Sequence, residues 1–352
     1  MTTTPEHIGT TRRRRVLDAV DERLGVTALQ YPVPEHANNL AWSLGGLTAA
    51  AFAILVVTGI VLTQFFNPNP DAANASVRHI VLDVWGGRFV RGIHFWAAQA
   101  MYVLAVLHLL RVFITGSFKR PREGNWLIGV AMFALVIGAL FTGTVIKWDQ
   151  EGFEALGHNL EIGRLLGGLG IWFTDSFSRS LSLLVRLYVA HIAIIPGLII
   201  GLLTLHAALI RRHGISPSPA VPDAPEEVRE PFTRHLRRLG ALSLALVGLL
   251  GVLAVLFPPA IGPAPVEGIE VTKPLWMFWW LYTLENQWGV AAILWGTGAL
   301  FAVLVLVPFV DRSKERSWRK RPAALALLAV VVVLLVALTV ATAFTSPAAH
   351  LG

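Results

Sequence analysis

The sequence contains no cysteine, and this absence excludes several kinds of site at once. Disulfides, iron–sulfur clusters and thiolate metal ligands all need cysteine, so a redox cofactor must be bound by histidine or methionine or supplied by a partner chain. Charge is scarce as well, because charged residues make up 14% of the chain, against about 25% in soluble domains. With 55% hydrophobic residues, the composition is that of a membrane protein.

Seven apolar stretches are each long enough to cross a bilayer, which takes about 20 residues. They lie near residues 40–66, 90–115, 125–146, 183–210, 237–257, 288–309 and 323–344. No short apolar segment with a small-residue cleavage site opens the chain, so we expect no removable signal peptide. The pattern predicts an all-α, polytopic membrane protein with seven spans.

The net charge of +7 raises the question of nucleic-acid binding, but the distribution of the charges argues against it. Of the 29 lysines and arginines, 21 fall in segments that lie on one side of the membrane if the N-terminus is inside, beginning with the run Arg12–Arg15. This is the positive-inside bias of membrane proteins. It predicts an N-in, C-out chain in contact with lipid and no nucleic-acid partner.

Composition divides the chain into four parts. We predict a basic cytoplasmic extension, a block of four spans, a polar and proline-rich linker, and a block of three spans, at residues 1–36, 37–214, 215–235 and 236–352. The long outer connections are rich in aromatic residues and proline, which is typical of interfacial helices and docking surfaces; they cover 67–89, 147–182 and 258–287.

Four histidines lie inside the apolar stretches, in two pairs. His94 and His108 are 14 residues apart on the second span, and His191 and His206 are 15 apart on the fourth. At about 100° and 1.5 Å per residue, each pair lies on nearly one helix face, about 21–22 Å apart along the axis. Ionisable residues at membrane depth are rare and are usually functional.

The second and fourth spans both run from the outer to the inner face, so histidines at the same depth can be paired. His94 pairs with His191 near the outer face, and His108 pairs with His206 near the inner face. Two neutral imidazoles on one iron leave no open position, which indicates two electron-transfer haems. The alternative is that each histidine hydrogen-bonds across helices. The other seven histidines are expected to be ordinary solvated side chains: His7, His36, His79, His158, His213, His235 and His350.

Glycines recur every 14 residues on the first and third spans, at depths that match the histidines. Gly45 and Gly129 fall level with the inner pair, and Gly59 and Gly143 with the outer pair. A residue without a side chain allows a flat macrocycle to approach the helix backbone, although packing of small residues between helices would give the same pattern. Arg91 and Arg111 lie close to His94 and His108 in the sequence and could pair with haem propionates. Arg111 could equally be one of the positive charges that orient the chain in the membrane, and the two roles are compatible.

Ordered sequence matches extend this pattern over nearly the whole chain. They include Trp42-Ser43-Leu44-Gly45-Gly46, Arg91-Gly92-Ile93-His94, His108-Leu109-Leu110-Arg111, Trp148-Asp149-Gln150, Arg186-Leu187-Tyr188-Val189-Ala190-His191 and Phe257-Pro258-Pro259-Ala260-Ile261-Gly262. On these residues the chain resembles cytochrome b of the bc-type complexes. The first block resembles cytochrome b6 and the second resembles subunit IV, here joined in one polypeptide.

The resemblance implies a four-helix di-haem bundle followed by three further helices, with two non-covalent haem b groups bound by His94, His191, His108 and His206. It implies quinol as substrate, a Rieske iron–sulfur protein as partner with a cytochrome c or another redox subunit, and a homodimer in the cytoplasmic membrane of a bacterium. The extra haem that b6 proteins attach through a cysteine is excluded, because that position is Ser43.

The quinol site departs from the family pattern. The Pro-Glu-Trp-Tyr motif of the family stands here as Pro274-Leu275-Trp276-Met277, and a leucine cannot accept the proton that the glutamate is thought to take. The resemblance and the position in the chain give five quinol-site candidates: Trp148, Pro274, Trp276, Tyr282 and Glu285. A solvated loop carboxylate is the other reading of Glu285.

Three functions are compatible with these features. The leading one is the di-haem cytochrome b subunit of a bacterial quinol-oxidising complex, working with a Rieske partner. The altered motif favours an alternative, a non-bifurcating electron conduit between the quinone pool and another dehydrogenase or reductase module. A transporter would need the histidines as proton or ion ligands and leaves the matched glycines unexplained.

Overall fold

The computed structural model describes residues 12–25, 31–218 and 229–351. Within the predicted cytoplasmic extension, residues 1–11 and 26–30 lie outside these ranges, and so do residues 219–228 of the predicted linker. Helices dominate the described residues. The division of the chain into four parts stays a prediction.

Seven of the described helices are long and apolar enough to cross a membrane, which confirms the predicted all-α polytopic class. They are α2 (Leu40–Thr63), α4 (Gly87–Ile114), α5 (Glu123–Ile146), α7 (Leu183–Val189) and α8 (Ile195–His213) joined as one span, α9 (Phe232–Leu256), α11 (Ala291–Val310) and α12 (Pro322–Ala343). Much of their apolar surface is exposed, as on Leu244 (74%) and Val333 (67%). Exposed apolar side chains suit a hydrocarbon environment. The helices suit it as well, because their backbone polar groups are satisfied within each helix.

Shorter helices precede or connect the spans. They are α1 (Arg12–Leu24), α3 (Ala73–Leu82), α6 (Gln150–Leu165) and α10 (Trp279–Trp288). The last three lie in the three predicted outer connections. We call the end of the bundle that carries these connections the outer end, and the opposite end the inner end.

The first four spans pack as two pairs around a shared core. Helix α2 packs on α4, and α5 packs on α8. The core between them contains buried apolar side chains from all four spans, among them Ala51, Met101, Val136, Leu140 and Ile195. This four-helix unit holds the histidine-bearing faces of α4 and the fourth span towards each other.

The second block docks on the first through a close helix contact. Helix α9 packs on α4 and α2, and a methyl group on Gly92 of α4 would lie 2.9 Å from Cβ of Ala254 in α9. Residues Arg229–Pro231, at the end of the predicted linker, form strand β2, which pairs antiparallel with β1 (Pro32–Pro34). The fifth span begins directly after β2, at Phe232.

A buried ion network joins the two blocks at the inner end. Asp311, just after α11, accepts hydrogen bonds from Lys119 Nζ at 2.5 Å and from Arg321 Nε at 2.9 Å. Both cations are almost fully buried, with side-chain exposures of 4% and 2%. Arg321 also donates to the carbonyl oxygen of Phe113 at 2.8 Å. One carboxylate therefore balances two desolvated cations from different blocks.

We predict that Asp311→Asn lowers the thermal unfolding midpoint, measured by circular dichroism in detergent. Removing one partner of a buried ion pair costs about 3–5 kcal/mol, because a desolvated charge is left unbalanced. Asp83→Asn is the matched control, because Asp83 pairs with His79 at the surface, where both side chains are more than half exposed. Exposed pairs contribute about 0–1 kcal/mol. Equal midpoints for the two variants would contradict the prediction.

Candidate functional site

The structure places the four intramembrane histidines on two facing spans. His94 and His108 lie on α4, His191 lies in the turn between α7 and α8, and His206 lies on α8. The ring centroids of His94 and His191 are 6.3 Å apart. Metal–imidazole bonds are about 2.0–2.1 Å long, so two imidazoles on opposite sides of one metal have centroids about 6 Å apart. The spacing of the outer pair therefore fits two imidazoles that bind one metal ion from opposite sides.

The 15-residue gap between His191 and His206 is explained by an irregular turn. Residues Ala190–Ile194 form a π-helical turn, which holds one residue more than an α turn. The longer gap therefore covers the same rotation as the 14-residue gap on α4. Pro196 lies two residues after this turn and lacks the N–H and the space that a regular α-helix needs, so it is a sequence signal for the turn.

Threonine hydroxyls orient both histidines of the outer pair. Thr58 Oγ1 lies 2.9 Å from His94 Nδ1, and Thr142 Oγ1 lies 3.0 Å from His191 Nδ1. Each hydroxyl donates its own proton to a backbone carbonyl one turn earlier, Ile54 for Thr58 at 2.7 Å. A hydroxyl that has donated its proton can only accept, so each imidazole carries hydrogen on Nδ1. The Nε2 lone pairs stay free to bind a metal.

Each of the four predicted glycines lies against the histidine expected at its depth. The distances from a methyl group placed on the glycine to Cε1 of the histidine are 2.9 Å for Gly45 and His108, 3.0 Å for Gly143 and His191, 3.4 Å for Gly59 and His94, and 3.9 Å for Gly129 and His206. A side chain at the tighter positions would displace the imidazole.

The two arginines beside the histidines differ in their contacts. Arg91 donates to the carbonyl oxygens of Pro259 and Ala260 at 2.8 and 3.0 Å, which ties α4 to the outer connection. Arg111 lies 5.0 Å above the ring of Trp42, and its buried Nε has no hydrogen-bond partner. A buried, unpaired donor next to His108 suits an anionic group such as a carboxylate.

The quinol-site candidates do not form one group. Trp276 is 42% exposed; its Nε1 donates to Gln99 Oε1 of α4 at 2.7 Å and its ring contacts Tyr102. The carbonyl oxygen of Pro274 accepts from Trp279 Nε1 at 2.8 Å. Trp148 belongs to a second apolar cluster and has a left-handed backbone with φ of 52°.

The two substituted motif positions are part of the apolar core. Leu275 and Met277 pack in the core between the four spans, and Met277 is 2% exposed. Trp172, a residue that the sequence argument did not single out, packs against both this core and the cluster that contains Trp148. Leu275 and Met277 therefore place apolar side chains where the family pattern has the carboxylate of a glutamate and the hydroxyl of a tyrosine.

Tyr282 and Glu285 lie in a buried polar cluster at the outer end. Glu285 is 3% exposed, so the prediction of a solvated loop carboxylate is wrong; the residue belongs to α10, which packs against α11 and α12. His158 and His350 lie beside it, with side-chain exposures of 15% and 8%. The prediction that these two histidines are solvated is also wrong, because the segment after α12 folds back over α6 and α10.

Charge dominates this polar cluster. Burial alone would lower the pKa of His158, but the carboxylates of Glu270 and Glu285 outweigh burial and raise it to about 10. Burial would likewise raise the pKa of Glu270, but His158 and the backbone N–H groups of Leu351 and His350 hold it at about 2. The cluster therefore brings groups of opposite charge together in a buried site. Of its members, the sequence analysis named only Tyr282 and Glu285 as candidate site residues.

The outer connection between α9 and α10 is fixed by side chains of α6. Glu154 Oε1 accepts from the backbone N–H of Val271 at 2.8 Å, and Oε2 accepts from the N–H of Thr272 at 3.0 Å and from its hydroxyl. Asp149 and Gln150 accept from the N–H groups of Gly262 and Val266 at 3.2 and 2.7 Å. The segment that leads to Pro274 thus has its backbone bound to one helix.

Two family models match the chain. The model described as Cytochrome b/b6/petB matches residues 28–214, and the one described as Cytochrome b(C-terminal)/b6/petD matches residues 264–350. The first match contains the four histidines and the four glycines. The second contains the altered motif and the polar cluster except His158.

Relatives and a solved structure show the same likeness. Cytochrome b6 of Heliobacterium mobile is 40% identical over 191 residues, which cover 53% of this chain and 90% of the relative. The menaquinol:cytochrome c reductase cytochrome b subunit of Bacillus subtilis (strain 168) is 33% identical over 218 residues, 57% of this chain and 97% of that one. A structure of a hyperthermophilic respiratory complex III superposes with a TM-score of 0.79 at 21% identity, over 94% of this chain and 91% of that chain, which shows a shared fold.

We predict that Glu154→Leu accelerates hydrogen–deuterium exchange of the Val271 and Thr272 amides about 10–100-fold. The reason is that a hydrogen bond to a charged acceptor contributes about 1.5–3 kcal/mol to keeping the segment closed. Peptide-level mass spectrometry of the full chain in detergent measures the rate. Glu267→Leu, a change at an exposed residue of the same connection, is the control. Unchanged exchange in Glu154→Leu would show that α6 does not hold the connection.

Proposed function

Because the chain belongs to the cytochrome b/b6 family, we propose that it is the di-haem cytochrome b subunit of a bacterial quinol-oxidising bc-type complex. Family membership and the relatives support a membrane electron-transport protein of the quinol:cytochrome c oxidoreductase type that binds haem b. The finer proposal is that electrons cross the membrane through this chain, between quinone sites and a Rieske-type partner.

The outer haem site is proposed between His94 and His191. The observation that carries this is the 6.3 Å separation of the two imidazoles, together with the threonine contacts at both Nδ1 atoms that leave Nε2 free. A haem held by these two imidazoles would supply one-electron transfer, and the pair would leave its iron no open coordination position. Gly59 and Gly143 give the macrocycle access to the backbones of α2 and α5.

The inner haem site is proposed between His108 and His206. Gly45 and Gly129 lie against these two histidines and allow the same close approach of a flat ring. Arg111 supplies a buried guanidinium whose Nε is unpaired, and it would hold a propionate there. Arg91 already donates to two carbonyl oxygens. It would bind a propionate at the outer site only through the N–H groups that these two bonds leave free.

Quinol oxidation is proposed at the outer end, on the family resemblance. Trp148, Pro274 and Trp276 are the residues that match the family pattern. Trp276 is fixed by Gln99, and Trp172 connects the apolar clusters around Leu275 and Trp148. Tyr282 and Glu285 lie instead in the polar cluster with His158, so their participation would need a proton path from Trp276 to α10.

The alternative function, a non-bifurcating conduit to another dehydrogenase or reductase module, is favoured by one observation. Leu275 and Met277 are packed in the apolar core, so neither position offers a group that accepts a proton from quinol. In this alternative the two haem sites are unchanged and the electron donor or acceptor at the outer end differs.

The remaining proposals concern assembly. We place the chain as a homodimer in the cytoplasmic membrane of a bacterium, with its N-terminus inside, a Rieske protein at the outer end, and a cytochrome c or another redox subunit in the complex. The basic residues near the inner end support this orientation. The division into an extension, a di-haem domain, a linker and a subunit IV-like domain is kept at 1–36, 37–214, 215–235 and 236–352.

We predict two non-covalent haem b groups per chain, each bound by one histidine from α4 and one from the fourth span. His94→Ala and His191→Ala should each remove the same haem, and His108→Ala and His206→Ala the other, because each iron loses an axial ligand. Haem per chain comes from pyridine haemochrome spectra, and electron paramagnetic resonance of the oxidised protein distinguishes the two low-spin centres.

His79→Ala is the control for these variants, because His79 is exposed and pairs only with Asp83 among the contacts described for it. It should retain both haems. Loss of the same centre in His94→Ala and His108→Ala, or one haem per chain in the unmodified protein, would refute the proposed pairing.

Subunit composition decides between the two functions. We predict that the complex purified through this chain from its native membrane contains a [2Fe–2S] Rieske centre and reduces a c-type cytochrome with quinol. Electron paramagnetic resonance of the reduced complex detects the centre, and the reduction is followed optically. A flavin or molybdopterin subunit in place of the Rieske centre would support the conduit and overturn the leading proposal.

A further inference from the structure

Four segments that are distant in sequence bring two histidines and two glutamates together at the outer end. His158 comes from α6, Glu270 from the outer connection, Glu285 from α10, and His350 from the segment after α12. Their side-chain exposures are 15%, 6%, 2% and 8%. This polar cluster has no role in the haem sites, which lie within the spans.

Three donor atoms of the cluster are close enough together to bind one metal ion. One donor atom each from His158, Glu270 and His350 lie within 4.8 Å of one another. Glu270 Oε1 is 3.2 Å from His158 Nε2 and 3.3 Å from His350 Nδ1. Zinc bonds to nitrogen and oxygen are about 2.0–2.2 Å long, so neighbouring ligands around zinc lie about 3.3–3.5 Å apart.

Glu285 lies beside both histidines and is the residue that we add to these three as a fourth ligand. Its Oε1 is 2.9 Å from His158 Nε2, and its Oε2 is 4.0 Å from His350 Nδ1. Although the first two atoms are close, both are buried and neither makes an aligned hydrogen bond. Buried polar atoms normally have a partner. A cation between them would provide one for both.

The outer nitrogen of each histidine is already fixed. Nδ1 of His158 donates to the carbonyl oxygen of Glu154 at 2.8 Å, and Nε2 of His350 donates to Asn286 Oδ1 at 2.7 Å. Metal-binding histidines commonly donate their second ring N–H to an acceptor of this kind, which sets the tautomer. The other nitrogen of each ring then faces the two carboxylates.

The charge of the cluster matches a divalent ion. Two buried carboxylates carry two negative charges, and these are balanced either by two imidazolium rings or by one divalent cation with neutral imidazoles. We propose that His158, Glu270, Glu285 and His350 bind a zinc ion. Four protein ligands with nitrogen and oxygen donors form a closed site, which is typical of structural zinc.

A zinc ion at this place would cross-link the outer connection, four residues before Pro274, to α6, α10 and the segment after α12. It would thereby fix the backbone that leads into the altered motif. The inference does not depend on the proposed haem sites, because the cluster contains none of their residues; a zinc-bound Glu285 would not be free to act as a quinol-site residue.

The test uses the full chain, or its complex, incubated with zinc chloride and freed of excess metal by gel filtration. Elemental analysis should find one zinc per chain besides the haem iron. His350→Gln should weaken zinc binding about 100-fold, the effect of losing one of four ligands. His79→Gln should retain the zinc. Haem content, read from iron in the same samples, reports separately on the proposed function.

X-ray absorption at the zinc edge of the unmodified protein keeps the test independent of whether a variant folds. The expected spectrum has four nitrogen or oxygen neighbours at about 2.0–2.1 Å with the scattering pattern of imidazole. A zinc-free unmodified protein, a six-coordinate spectrum, or equal zinc affinity of His350→Gln and His79→Gln would overturn the proposal.

Discussion

The burial of four imidazoles in the hydrocarbon core is the constraint on which the rest of this structure depends. An imidazole nitrogen without a partner is costly there. At the outer pair, threonine hydroxyls on α2 and α5 take the Nδ1 side. The glycines that face the four rings, and the π turn that holds His191, leave the Nε2 side open for a metal. Small and local features of four helices thus serve one requirement.

The outer end satisfies its polar groups in a different way. The connection before α10 has few regular hydrogen bonds of its own, so its N–H groups bind to Asp149 at the start of α6 and to Gln150 and Glu154 within it. The altered motif inside this frame is apolar, and the charged groups lie in a separate cluster around Glu285. The chain therefore combines the haem scaffold of its family with an outer end whose polar and apolar parts are separated.

Sequence reasoning predicted the parts of this structure that local patterns determine. Hydropathy located the seven spans, and the shared depth of glycines and histidines followed from helix geometry alone. The π turn was missed because its two signals are weak: the one extra residue between His191 and His206 still leaves both on nearly one helix face, and Pro196 also fits an ordinary helix start. The polar cluster was missed because no local pattern connects residues 158, 270, 285 and 350. Only the fold brings them together, and it buries His158, Glu285 and His350, which read as solvated residues in isolation.

The most direct test of the central claim is the identity of the axial ligands in the oxidised protein. Near-infrared magnetic circular dichroism distinguishes imidazole pairs from methionine, amine or water ligands without any substitution. The account predicts that every low-spin iron in the preparation has two imidazole ligands. A centre with one imidazole and a second ligand of another kind, or a high-spin centre with an open position, would contradict it.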